Sequence, residues 1–232
     1  MGRIIRKQKN ERVKLLSYGI DGNTPLYPGT LPLKLLKEKD TRKGDSCNTF
    51  MITISNHSGT HIDGPGHFFP QKKSRHARLP ALCVYNDPVI LDCRPKPESL
   101  IKPADLSNIQ KASRKADAVL IRTGFSRHRN DHRIYAFRNP CLAPESALLL
   151  RNTFPRLRLI GIDTLSVSSI SHRDEGRQTH RILLGKNGPK RGIFIIEDMF
   201  IPNDIASLKK IYVMPLVRGD LDSAPCAVLG FV

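Results

Sequence analysis

Tryptophan is absent from this chain of 232 residues, and with 5 Tyr and 9 Phe its aromatic content is 6%. No apolar run approaches the roughly 20 residues that a bilayer-spanning helix needs. The basic start, Met1-Gly-Arg-Ile-Ile-Arg-Lys, is not followed by the apolar stretch of a secretory signal. Cysteine is sparse: positions 47, 83, 93, 141 and 226 include no C-x-x-C pair. That spacing argues against a thiolate zinc site and a disulfide framework, and fits reduced thiols. These lacks predict a cytoplasmic chain with no membrane partner.

Acidic residues are also few. Only 21 Asp and Glu face 38 Lys and Arg, a formal net charge of +17. Such a balance draws polyanions or steers acidic substrates toward a cleft. The basic residues are nevertheless scattered in small groups, such as Lys34 to Lys43 and Arg122 to Arg138, without a zinc-finger, RNP or helix-turn-helix pattern. A solvated basic surface is expected, and no specific nucleic-acid partner.

What the chain does hold is concentrated in His57-Ser-Gly-Thr-His-Ile-Asp-Gly-Pro-Gly-His67, which contains three of its eight histidines and one carboxylate. Imidazole nitrogen and carboxylate oxygen suit an open, catalytic Zn or Mn site. Gly59, Gly64, Pro65 and Gly66 argue against a helix. In an extended segment His61 and Asp63 point the same way, because side chains alternate. A tight Gly59-Thr60 turn would fold His57 back toward them. The expected ligand set is His57, His61 and Asp63, with His67 brought to the same pocket by the Pro65 turn and free for proton transfer.

Around this stretch the pattern is mixed α/β (α+β), a β-rich single domain with few helices. Residues 1–16 read as a basic N-terminal arm and 17–232 as the domain. Strands are predicted at 50–55, 88–92, 116–124, 157–163, 192–198, 211–217 and 226–232, with helices at 103–112 and 143–150. Strand, helix, strand over 88–124 suggests a crossover unit. Lys34 to Asp45 reads as a charged connector, 127–133 as an exposed charged loop despite His128 and His132, and 185–191 as a hairpin turn. His76 reads as a surface residue, and Asp163 as a turn cap. His172 and Asp174 lie in a loop that could form a lid.

The run H-x-G-T-H-x-D-x-P-x-H, followed by Phe68, resembles the signature of the cyclase-type metal-dependent hydrolases, the family that includes bacterial kynurenine formamidase and isatin hydrolase. The match is complete at every fixed position. The resemblance implies a swivelling β/β/α fold and homodimers or higher homo-oligomers. It implies a divalent metal, Zn with Mn as the alternative, as one or two ions. It adds His180 and the strand-end Glu197 as ligands completing the site, residues that would otherwise read as structural. It also places Tyr27, in Asn23-Thr-Pro-Leu-Tyr-Pro-Gly29, where relatives carry an aromatic that lines the substrate pocket. The reaction implied is hydrolysis of an aryl formamide resembling N-formylkynurenine by metal-activated water, or of another aromatic carbonyl compound such as an isatin-like lactam. A polyanion-binding protein without activity is the third reading.

Overall fold

A computed structural model describes residues 12–70, 83–185, 192–216 and 222–232. Its centre is one nine-stranded sheet with two characters. Strands β6 (Pro88–Asp92), β8 (Ala118–Arg122), β10 (Leu159–Ile162) and β11 (Phe194–Glu197) run parallel. Strands β4 (His61–Asp63), β13 (Ser223–Phe231), β12 (Lys210–Pro215) and β5 (Val84–Tyr85) continue the sheet from β11 in antiparallel pairings. The last residues of the basic lead-in form β1 (Val13–Leu15), paired with β13, and Leu16 is fully buried. Residues 1–11 lie outside the described residues.

Alternation in the parallel strands sorts their side chains into two cores. Val119 and Ile121 of β8 join Leu91, Ile160 and Ile195 on one face, whereas Ala118 and Leu120 join Leu159, Ile196 and Val228 on the other. The period of two makes that division, and burial of both faces is what a parallel run of continuous apolar residues requires. The first core is roofed by α2 (Pro144–Thr153) and α3 (Arg173–Leu184), together with a 3-10 helix over Pro103–Lys111. The predicted crossover is present: β6 and β8 are parallel, and they are connected through β7 (Leu100–Ile101), which pairs with β9 (Cys141–Leu142), and the 3-10 helix. The mixed α/β, strand-rich architecture is the one expected.

Several local expectations need correction. Lys34 to Asp45 is not a connector: β2 (Lys34–Lys39) pairs with β3 (Thr49–Thr53) in a ribbon outside the main sheet. Leu35, Leu36, Phe50, Met51 and Ile52 lie exposed on it. Residues 127–133 are not a simple exposed loop. Arg129 turns inward to Asp198, and His132 opens α1 (His132–Phe137), capped by Asp131. His172 and Asp174 belong to the start of α3 rather than to a lid loop. Residues 186–191, read as a hairpin turn, lie outside the described residues. His76 also falls outside. Asp163 does cap a turn, accepting hydrogen bonds from the Thr123 and Gly124 amides at 2.7 and 2.9 Å.

The approach of α3 to the body depends on Gly176. A Cβ there would sit 1.9 Å from Ser168 Oγ and 2.9 Å from its Cα. Alanine would gain about 1 kcal/mol of helix propensity, but overpacking costs about 1–3 kcal/mol, and here the obstruction includes backbone. Gly176→Ala is therefore expected to lower the thermal midpoint; an unchanged or higher midpoint would show that α3 can shift freely.

Candidate metal centre

Strand register assembles the centre. In β4 the side chains of His61 and Asp63 share one face while Ile62 enters the opposite core. On one side β11 places Glu197 directly across from His61. On the other side β13 places Ser223 across from Asp63, so Asp222 stands at the same end. Helix α3 covers the site and carries His180. Its buried residues Gly176, Thr179, His180, Leu183 and Leu184 follow the spacing of one helical face.

Each histidine is aimed by its surroundings. His61 Nδ1 donates to the Gly59 carbonyl at 2.9 Å and His180 Nδ1 to the Gly176 carbonyl at 2.8 Å, because a carbonyl can only accept. Both rings therefore turn Nε2 inward, the nitrogen that a cation would take once its proton has left. Gly59 holds φ +61, a left-handed turn that glycine permits, and that turn brings His57 back over the strand as expected. His57 Nδ1 lies 3.1 Å from Asp63 Oδ1. His61 Nε2 lies 3.6 Å from the same oxygen and 3.5 Å from Glu197 Oε2. His180 Nε2 lies 3.9 Å from Asp63 Oδ2 and 3.4 Å from Glu197 Oε1. Glu197 Oε1 is fixed by the Ser166 hydroxyl and the Val167 amide, both at 2.8 Å. All six residues named from the motif and the resemblance as ligands or proton carrier meet at this point.

One residue was missed. Asp222 Oδ2 lies 3.2 Å from His67 Nδ1 and 4.0 Å from His57 Nε2. Its carbonyl accepts from Gly64, and Asn56 donates to its other carboxylate oxygen. The available signal was the pair of acids Asp220 and Asp222, shortly before the last predicted strand of an acid-poor chain.

The donor set fits a divalent cation. Both Asp63 oxygens and His61 Nε2 are buried without hydrogen-bond partners, a costly state for a carboxylate unless a cation completes it. One group of donor atoms joins His57, His61 and Asp63, and another joins Asp63, His67 and His180, the atoms of each lying within 4.8 Å of one another. Asp63 is common to both, as a bridging ligand would be.

Electrostatics agree with that reading. Burial alone would lower the pKa of His61, but Asp63 and Glu197 outweigh it and raise the ring to about 9. Burial likewise opposes a charge on His180, and Glu197 overrides it, raising the pKa. Glu197 is held well below the usual carboxylate range: its burial is outweighed by His180 and His61. His67 differs, since burial prevails over the attraction of Asp63 and lowers its pKa. Metal-free protein at neutral pH thus carries protons where a cation would bind. Uptake must expel them, so apparent affinity should rise with pH by about tenfold per unit for each displaced proton, up to about pH 9. Calorimetry in buffers of different ionisation enthalpy should record at least one proton released per ion at neutral pH. Uptake without proton release would contradict this charge assignment.

Above the cluster opens a cavity of about 440 Å³, whose wall includes Tyr27, Pro28, Phe68 and Leu165. Tyr27 also packs against a small cluster with Phe125 and Tyr135, and Phe68 stacks on His180 with ring centroids 5.0 Å apart. Residues 15–169 match the model of a family described as putative cyclase. The chain belongs to that cyclase family. Relatives at lower identity extend the likeness over most of its length. The kynurenine formamidase of Geobacillus thermodenitrificans (strain NG80-2) is 27% identical over 216 residues, covering 90% of this chain and 92% of the relative. That of Bacillus mycoides (strain KBAB4) is 24% identical over 219 residues, with the same coverage. In three dimensions the cyclase-family fold is shared with isatin hydrolase A from Labrenzia aggregata, at TM-score 0.76, 18% identity and 96% and 94% coverage of the two chains. It is shared too with a predicted metal-dependent hydrolase from Bacillus stearothermophilus, at TM-score 0.73, 22% identity and 96% and 99% coverage.

Proposed function

We propose that this chain is a metal-dependent hydrolase that cleaves the C–N bond of an aryl formamide resembling N-formylkynurenine. The observation that carries this reading is the pair of buried, unpartnered Asp63 oxygens among His57, His61, His180 and Glu197, which line a cavity whose wall also includes Tyr27, Phe68 and Leu165. His57, His61, Asp63, His180 and Glu197 would hold one or two ions, Zn or Mn. A divalent ion there lowers the pKa of water toward 7 and polarises a carbonyl.

The chain's own residues supply the rest. Tyr27 and Leu165 offer a flat apolar wall to an aryl ring. His67, whose Nδ1 faces Asp222, can donate that proton to the carboxylate and leave Nε2 bare toward the cavity. A neutral imidazole in that tautomer can take a proton from water and return it to the departing amine. An isatin-like lactam offers the same carbonyl and a similar ring, and is the alternative substrate. The assembly proposed with this reading is a homodimer, supported by the exposed apolar residues of the β2–β3 ribbon, which a second copy would cover. Among the described residues no helix is long and apolar enough to cross a membrane; a cytoplasmic location is part of the proposal.

The test is hydrolysis of N-formylkynurenine and of isatin by protein reloaded with Zn or Mn. Metal-dependent formate release supports the formamidase; opening of isatin alone selects the lactam. Absence of both reactions, with no ion bound, would favour a binding protein.

A further inference from the structure

The rim of the cavity carries a charge that the chemistry on its floor does not use. Arg173 and Arg177 both line the cavity, on the same helix as His180. Positions 173, 177 and 180 fall at i, i+4 and i+7, one face of α3. At about 1.5 Å rise per residue, Arg177 stands roughly 4–5 Å and Arg173 roughly 10 Å along the axis from His180. The other charged residues of α3, Asp174, Glu175 and Arg181, are not part of the wall. Among the described residues of the wall Glu197, beside buried Asp63, is the acidic one, and Arg173 and Arg177 are the arginines.

Neither arginine is held in a strong internal pair. Arg177 meets Asp174 at 3.0 Å, but both side chains are exposed, at 64% and 92%, so the pair is weak and readily exchanged. Arg173 is exposed and has no ion pair among the described residues. A guanidinium presents its donors as a fork that fits a carboxylate in two parallel hydrogen bonds. The same cavity wall includes Tyr27, Pro28 and Leu165, apolar surface suited to a ring.

We propose that Arg173 and Arg177 form an anion subsite that selects substrates bearing a carboxylate beyond the aryl ring, several ångströms from the scissile carbonyl. This inference rests on the hydrolase reading and narrows it: the preferred substrate is an anionic aryl amide rather than a neutral one. Binding at the rim acts on the ground state and the transition state alike, so it is expressed in KM more than in kcat.

The test compares 3-(2-formamidophenyl)propanoate with its neutral carboxamide, following formate release by metal-loaded protein. Wild type should favour the carboxylate by about tenfold or more in KM, the scale of a charge-assisted hydrogen bond. The advantage should shrink as salt rises. In R173A/R177A it should vanish, with the carboxamide's kinetics unchanged; R173K/R177K should recover part of it. Equal kcat/KM for both compounds in wild type, or equal losses for both in the variant, would overturn the subsite. If neither compound turns over, the hydrolase reading is what fails. Calorimetric titration with 3-phenylpropanoate then decides the subsite separately: binding lost in R173A/R177A upholds it, and binding that is absent or unchanged removes it.

Discussion

Asp63→Ala is expected to lose the metal and the activity together. Asp63 is 1% exposed and stands between His57 at 3.1 Å, His61 at 3.6 Å and His180 at 3.9 Å. Among the described residues it belongs to two of the three donor groups, and of the residues shared between groups it is the carboxylate. Its pKa is lowered: burial opposes ionisation, but His61 and His57 prevail, so the residue supplies negative charge at neutral pH. Removing it leaves protonatable imidazoles facing one another with less to hold a cation. Outer partners of metal ligands already cost 10- to about 100-fold in affinity, and loss of a shared ligand should exceed that. Metal content after dialysis and turnover of N-formylkynurenine are the two measurements. Asp63→Asn separates charge from shape, and should fold normally while losing the ion. A fully metallated, active Asp63→Ala protein would end the proposal.

Much of this centre was legible because its first half is local. Four donors within eleven residues, separated by glycines and a proline, can converge only if the backbone turns at those glycines, and Gly59 does so at positive φ. His180 and Glu197 were not legible in that way, since they reach the floor through α3 and β11, and only the resemblance named them. A signal for α3 was nevertheless present, in the spacing of Gly176, Thr179, His180, Leu183 and Leu184. Asp222 was hidden because its contact with His67 spans 155 positions and depends on β13 pairing with β4. Local charge misled twice for the same reason. Lysines around Leu35 and Leu36 masked a strand, and the run of basic residues near Arg129 concealed that one of them neutralises buried Asp198. Composition cannot say which arginine of a cluster finds a buried carboxylate.

The second large effect should come from His67, and it discriminates between two roles that the geometry brings close together. His67 belongs to a donor group with Asp63 and His180, yet its Nδ1 faces Asp222 and its ring is partly exposed. A ligand and a proton carrier would fail differently. As a carrier, His67→Ala should keep its metal and lose on the order of 10²–10⁴ in kcat, the usual worth of a general acid–base group. Added imidazole should restore part of the rate. Because burial lowers its pKa, the neutral base persists below pH 6.5, and the acid limb of the wild-type rate profile that reports it should fall on that side. Asp222→Asn should retain the ion and lose less, roughly 10- to 100-fold as for other orienting partners, in kcat rather than KM. An amide at that position can satisfy either tautomer of the ring, so the variant loses the carboxylate's preference for Nδ1–H. If His67→Ala instead emerges without metal, His67 is a ligand, and the proton must be moved by a group other than the His67–Asp222 pair.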